Sequence, residues 1–100
     1  CREAMVVAME RCVNAGLTNV YFVDANAITH GIVEPMGPED SKRLFMWVPK
    51  GSPSHPKGLQ DDTHLNVYGA HRVAWSLISA VCNQVPRLEQ HVKYYDFSNL

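Results

Sequence analysis

Reading from the N-terminus, Met5, Ala8, Met9, Cys12 and Val13 recur at helical spacing, with Glu3, Glu10, Arg11 and Asn14 on the other positions. This pattern predicts a surface helix over residues 4–15 with one buried stripe, closed by Gly16 at the C-cap. After Leu17, Thr18 and Asn19, the run Val20-Tyr21-Phe22-Val23 is apolar on both faces and ends on Asp24. Such a run suits a strand covered on both sides in a parallel sheet. Residues 37–44, from Gly37 to Leu44, read as a short helix with Pro38 in its first turn and Glu39 and Asp40 near the positive end of its dipole. Phe45-Met46-Trp47-Val48 is strand-like, but Pro49 restricts it to an edge or an irregular segment. Residues 49–60, with three prolines and two glycines, predict a long irregular loop, a length that compact domains use mainly where it serves a site. From Asn66, a good N-cap, Val67, Ala70, Val73, Ala74, Leu77, Ile78 and Val81 form one face of a helix that Pro86 must stop. The tail 87–100 is polar and ends with Tyr94, Tyr95 and Phe97, expected to pack on the body or on a neighbour.

The order helix, buried strand, short helix, long loop and helix is α/β, half of a βαβ unit without its first strand. One doubly covered strand without neighbours cannot close a sheet. We therefore expect a fragment, or a chain completed by another chain. The chain opens on Cys1 rather than methionine, which places the expected natural N-terminus upstream.

Composition narrows the classes further. With 46% apolar and 19% charged residues, the chain has the make-up of a soluble globular protein. Nine basic and ten acidic side chains give a net charge of −1, so no long-range field favours nucleic acid or an anionic membrane. The apolar runs fall far short of the ~18 to 20 residues that cross a bilayer, and the start lacks the basic-then-apolar layout of a signal peptide. Cys1, Cys12 and Cys82 have no metal or disulfide spacing and read as isolated thiols.

The candidate chemistry lies at the end of the long loop, in Asp61-Asp62-Thr63-His64. In a tight turn, a carboxylate three residues before a histidine accepts the Nδ1 proton, fixes the tautomer and leaves Nε2 as a base. The bare spacing is short and common, and taken by itself it favours a capping or solvated turn over a catalytic pair. Five histidines also invite a metal site built on Asp61, Asp62, His64 and His71, but His64 and His71 are seven apart, too far for joint ligation unless the loop folds back. His30, His55 and His91 read as surface or loop residues. Trp47 beside the Pro-rich loop is a candidate to stack on a sugar ring, against the reading of a packing residue. Lys50 and Lys57 read as solvated loop charges, and Asp24 as either a turn-former or a cleft residue.

The segment Asp61-Asp62-Thr63-His64-Leu65-Asn66-Val67-Tyr68-Gly69-Ala70 resembles the C-terminal block of the SGNH, or GDSL-like, hydrolases, especially rhamnogalacturonan acetylesterase-like members. The resemblance extends upstream through Val20-Tyr21-Phe22-Val23-Asp24, Gly37-Pro38-Glu39 and Leu44-Phe45, over most of residues 1–82. It implies that the chain is the C-terminal part of a single flavodoxin-like three-layer α/β/α domain, residues 87–100 being a tail. It implies His64 as general base and Asp61 as its orienting partner, with Asp62 and Thr63 on variable positions and Asp62 a turn-former or helix-end anion. The reaction implied is hydrolysis of O-acetyl or similar esters on carbohydrate, with pectin as the substrate class, no cofactor and no metal, in a secreted or periplasmic location. The Gly-Asp-Ser block with the nucleophile, and the oxyanion blocks, are absent. Ser41, Ser52, Ser54, Ser76, Ser79 and Ser98 lack the setting of a nucleophile elbow, so the chain alone is expected to be nearly inactive. The competing reading is a noncatalytic α/β interaction piece, whose exposed sheet edge pairs with another chain or a second copy.

Overall fold

The computed structural model describes residues 1–93, so Tyr94, Tyr95 and Phe97 lie outside the described residues. Helix α1 spans Arg2–Asn14. Its end is a Schellman motif, in which Gly16 (φ 87°) sends its N–H to the Val13 carbonyl and Leu17 sends its N–H to that of Cys12. The expected buried stripe is not buried. Val6, Met9 and Cys12 are part-covered, while Met5 and Val13 stay 60% and 52% exposed.

The expected parallel strand is also different. Val20–Val23 has no regular secondary structure and pairs with no strand among the described residues, and Tyr21 is exposed. Its contact with the rest of the chain includes the Phe22 carbonyl, which accepts a 2.6 Å bond from Gln84 Nε2. A ladder needs a neighbouring backbone at strand spacing, and none is in place among the described residues. Asp24 resolves as a helix cap. It accepts from the Ala27 amide at 2.9 Å at the start of helix α2, Ala25–Asp40, and pairs with Arg2 at 2.5 Å.

Most of α2, residues 25–36, was not expected from the pattern. Gly37 (φ 75°, ψ 176°) breaks it, and Pro38 restarts helical backbone that runs on into a 3-10 turn, Ser41–Leu44. The short helix expected over residues 37–44 is thus the last part of a longer, kinked one.

The sheet is two-stranded and antiparallel, not parallel. Strand β1, Phe45–Val48, pairs with β2, Leu59–Leu65, so the Pro-rich loop closes a long hairpin. The irregular stretch ends at Gly58, and Leu59 and Gln60 belong to β2. The loop is organised by its own bonds, among them Gly51 N–H to Pro56 O at 2.9 Å and Gly58 N–H to His55 O at 2.9 Å. Helix α3, Val67–Gln84, begins at Asn66 as expected, and Pro86 opens a 3-10 turn, Pro86–His91.

Burial is found at the two ends of α3. Leu44 is fully buried in a junction at its start, and Val85, its C-cap, is nearly so; they are the only buried apolar side chains among the described residues. Asn66 ties the junction together. Its backbone N–H donates to Leu44 O at 2.9 Å, its Nδ2 to Arg43 O at 2.7 Å and to Phe45 O at 3.0 Å, while its Oδ1 accepts the Gly69 amide at 2.8 Å. Three successive carbonyls are thereby satisfied by one residue, which also caps α3. Gly69 is buried against the same segment, and a Cβ there would collide with the Leu44 carbonyl oxygen. The radius of gyration, 17.4 Å, exceeds the ~13 Å of a compact chain of this length, in keeping with the small core.

Candidate active site

The site is a bulge in β2. Phe45 pairs with Leu65 and Met46 with Asp61, so Asp62, Thr63 and His64 are inserted opposite a single step of β1. Bulges of this kind re-aim side chains away from the regular alternation. Here the inserted turn is built on Asp61. Its Oδ1 accepts the backbone amides of Thr63 at 2.6 Å and His64 at 2.9 Å, and its Oδ2 lies 2.8 Å from His64 Nδ1. Both carboxylate oxygens are therefore committed, and the ring nitrogen facing an ionised carboxylate is the one that carries the proton.

These bonds hold the Asp61 carboxyl below its ordinary pKa. The His64 amide contributes most, then the Thr63 amide and then the His64 ring, against a smaller opposing effect of burial. The imidazole itself is 77% exposed on its side chain, whereas Asp61 is 23% exposed. His64 therefore stands out from the turn on a rigid carboxylate base, with Nε2 unpartnered among the described residues. That arrangement can take a proton from a group brought to Nε2 and stabilise the resulting imidazolium.

The turn is fastened on two sides. Downstream, Leu65 and Asn66 lead into the junction that buries Leu44, so α3 fixes the exit of the bulge. Across the hairpin, Trp47 Nε1 donates to Asp62 Oδ1 at 2.6 Å. Asp62 is thus a tether for the indole rather than a helix-end anion. Lys42 Nζ sits 4.3 Å from the centroid of that ring and is held by Glu39 at 3.0 Å, a cation–π contact that covers one face. Neither role was visible in the sequence, since the register that brings Trp47 to Asp62 depends on the bulge.

Of the other candidates, Trp47 lines a cleft of about 720 Å³ with Val48, Pro49, Lys50, Lys57 and Gln60. His30 pairs with Glu34 one turn along α2, and His55 bonds Ser54 in the loop. Among the described residues no three His, Cys, Asp or Glu side chains converge as a metal site would require, and no helix is long and apolar enough to cross a membrane.

Comparison with known proteins gives one partial match. Over 57 residues, 56% of this chain, the sequence is 44% identical to rhamnogalacturonan acetylesterase RhgT of Bacillus subtilis (strain 168). The matched segment spans 25% of that relative's length. No family model matches the chain, and no solved structure matches it. Over that segment the sequence is similar to an acetylesterase, a hydrolase.

Proposed function

We propose that this chain is the C-terminal portion of a serine esterase that removes O-acetyl groups from carbohydrate, with His64 as general base and Asp61 as the residue that orients it. The observation that carries the reading is the turn itself: Asp61 Oδ2 lies 2.8 Å from His64 Nδ1 while Oδ1 is pinned by two backbone amides. A capping or solvated turn needs only the amide bonds. The additional ring contact fixes the tautomer that a base requires. The kinship over 57 residues with an acetylesterase supports the reaction class, and that relative's name supports a pectin-type substrate.

In this reading a serine from outside residues 1–100 attacks the acetyl carbonyl while His64 Nε2 takes its proton. The tetrahedral intermediate collapses, His64 returns the proton to the departing sugar oxygen, and an acetyl-serine remains. Water, deprotonated by the same Nε2, releases acetate and restores the serine. Asp61 stays ionised throughout and faces the imidazolium formed in each half-reaction. The oxyanion donors, worth ~3 to 4 kcal/mol each, come with the serine.

The same reading places the chain in a flavodoxin-like three-layer domain. Its support is the Val20–Val23 run, apolar and without a ladder partner among the described residues, and the uncovered Met5 and Val13 on α1. Further chain or a second copy would cover both.

The test is acetyl-ester hydrolysis, with p-nitrophenyl acetate and with acetylated pectin, by the natural full-length protein. His64→Ala and Asp61→Asn are each expected to lower kcat by about 10³- to 10⁴-fold, and residues 1–100 alone are expected to be inert. Full activity in the His64→Ala protein would overturn the assignment.

A further inference from the structure

The Asp61–His64 turn begins with two adjacent aspartates, and either of them is equipped to build it. Asp61 Oδ1 accepts the amides two and three residues on, Thr63 at 2.6 Å and His64 at 2.9 Å. This is the ordinary reach of an aspartate side chain in a turn. Asp62 has the same reach one residue later, to the amides of His64 and Leu65. The two carboxylates therefore compete for the His64 amide, and the two registers differ in what they orient. With Asp61 as acceptor, the side chain three residues on is His64, whose Nδ1 lies 2.8 Å from Oδ2. With Asp62 as acceptor, that side chain is Leu65, which has no polar group to offer. One register holds the imidazole and the other leaves it loose.

The group that separates them stands on the other strand. Met46 pairs with Asp61 and Trp47 with Gln60, so Trp47 lies one step from the pair at which the bulge opens. Its Nε1 donates to Asp62 Oδ1 at 2.6 Å. The indole is half-buried, and a partly desolvated indole N–H needs an acceptor, which Asp62 supplies. The ring also has a support that is independent of Asp62. Lys42 Nζ sits 4.3 Å from its centroid and is held by both carboxylate oxygens of Glu39, at 3.1 and 3.0 Å. The strand side of the contact is thus set from α2, and the bulge side answers to it.

We propose that Trp47 is a positioning residue that selects the register of the turn. By taking Asp62 as its acceptor, it leaves the His64 amide to Asp61 and keeps the Asp61–His64 pair assembled. The consequence for catalysis rests on the esterase reading, whereas the choice of register does not. A plain brace would behave differently, because losing either partner of a brace does equal harm. A selector does most harm when the competitor is set free. Trp47→Phe frees Asp62, and Asp62→Ala removes it.

The test is a double-variant cycle on the natural full-length protein, read by the His64 Nδ1–H resonance and by p-nitrophenyl acetate hydrolysis. Trp47→Phe is expected to shift or broaden the resonance and to lower kcat about tenfold, with KM changed by less than about twofold. Asp62→Ala is expected to keep the resonance and to lower kcat by no more than about twofold. The Trp47→Phe/Asp62→Ala protein is expected to regain both, at the level of Asp62→Ala alone. Equal losses in the two single variants, or a double variant no better than Trp47→Phe, would overturn the selection. A loss of about tenfold in Asp62→Ala alone would do so whether or not the Trp47→Phe protein folds. A resonance that follows the expected order while hydrolysis ignores His64→Ala would sink the esterase reading and leave the selection standing. Hydrolysis that needs His64, beside a resonance that Trp47→Phe does not move, would do the reverse.

Discussion

The two halves of this molecule treat their apolar residues in opposite ways. Around Leu44 a handful of residues make a closed junction: Asn66 satisfies the carbonyls of Arg43, Leu44 and Phe45, and Gly69 lets α3 lie directly on that backbone. Around α1, Met5, Val7, Val13 and Leu17 are all exposed, and Val20–Val23 has no strand beside it among the described residues. The candidate site belongs to the first half. Its carboxylate is fixed by hydrogen bonds within the turn and by a backbone junction a few residues away, so its geometry does not depend on the apolar surface that lies open elsewhere. A turn of this geometry can therefore be preformed in a chain whose core is small.

The sharpest way to break that contrast is at Gly69. The Gly69→Ala protein must push α3 off the Leu44 carbonyl, and we expect a loss of about 2 to 4 kcal/mol, read from urea denaturation. The Asp61–His64 contact should loosen with it, since β2 leads straight into α3. A loss under about 0.5 kcal/mol would mean that the junction is not what orders this half.

Next is Asn66→Ala, which removes the α3 cap and two side-chain bonds to carbonyls. An N-cap is worth about 1 kcal/mol and each further bond about as much, so about 2 to 3 kcal/mol is expected in the same measurement. Asn66→Asp separates the parts, because it keeps the acceptor for the Gly69 amide but loses the donor. It should fall between the wild type and Asn66→Ala.

How much of this was legible in the sequence follows the same division. Helix α3, its Asn66 cap, the Gly16 C-cap and the edge character of Phe45–Val48 rest on local signals, and each appears in the structure. The turn at Asp61 was legible too, because Asx geometry is local to four residues. The parts that were not legible depend on register or on missing neighbours. Helix α2 has Asp24 as a cap, a signal that was present but was weighed as a turn or cleft residue, and its Pro35 and Gly37 masked the periodicity. The pairing of β1 with β2, hence the Trp47–Asp62 bond, depends on three residues bulging opposite one step. The pattern of Val20–Val23 speaks of burial on both faces, and a pattern states what a segment would bury, not whether a neighbour is in place to bury it.

A smaller effect is expected from acid. Asp61 is held below its ordinary pKa by acceptor bonds that are stronger when it is ionised. The stability it gives is therefore complete above the unfolded aspartate range, about pH 4, and is lost as the pH falls through the lower folded value. The His64 Nδ1–H resonance, followed from pH 7 downward, should persist through pH 5 and disappear only in strong acid. In Asp61→Asn it should be absent or shifted at every pH. Loss of the resonance well above pH 5 in the wild type would show that the carboxylate is not held by the turn.

The smallest effect is expected at the open face. Met5 and Val13 are 60% and 52% exposed, so in the 100-residue chain Met5→Gln and Val13→Gln remove little buried surface. Surface substitutions away from packed features stay within about 0.5 kcal/mol, which is what denaturation of the dilute chain should return. Raising the protein concentration sharpens the test. If a second copy covers α1, stability rises with concentration by mass action, and both substitutions weaken that rise while Gly69→Ala only lowers its starting point. If further chain covers it, concentration has no effect on the 100-residue chain, and the same two substitutions cost about 1 kcal/mol or more only in the full-length protein.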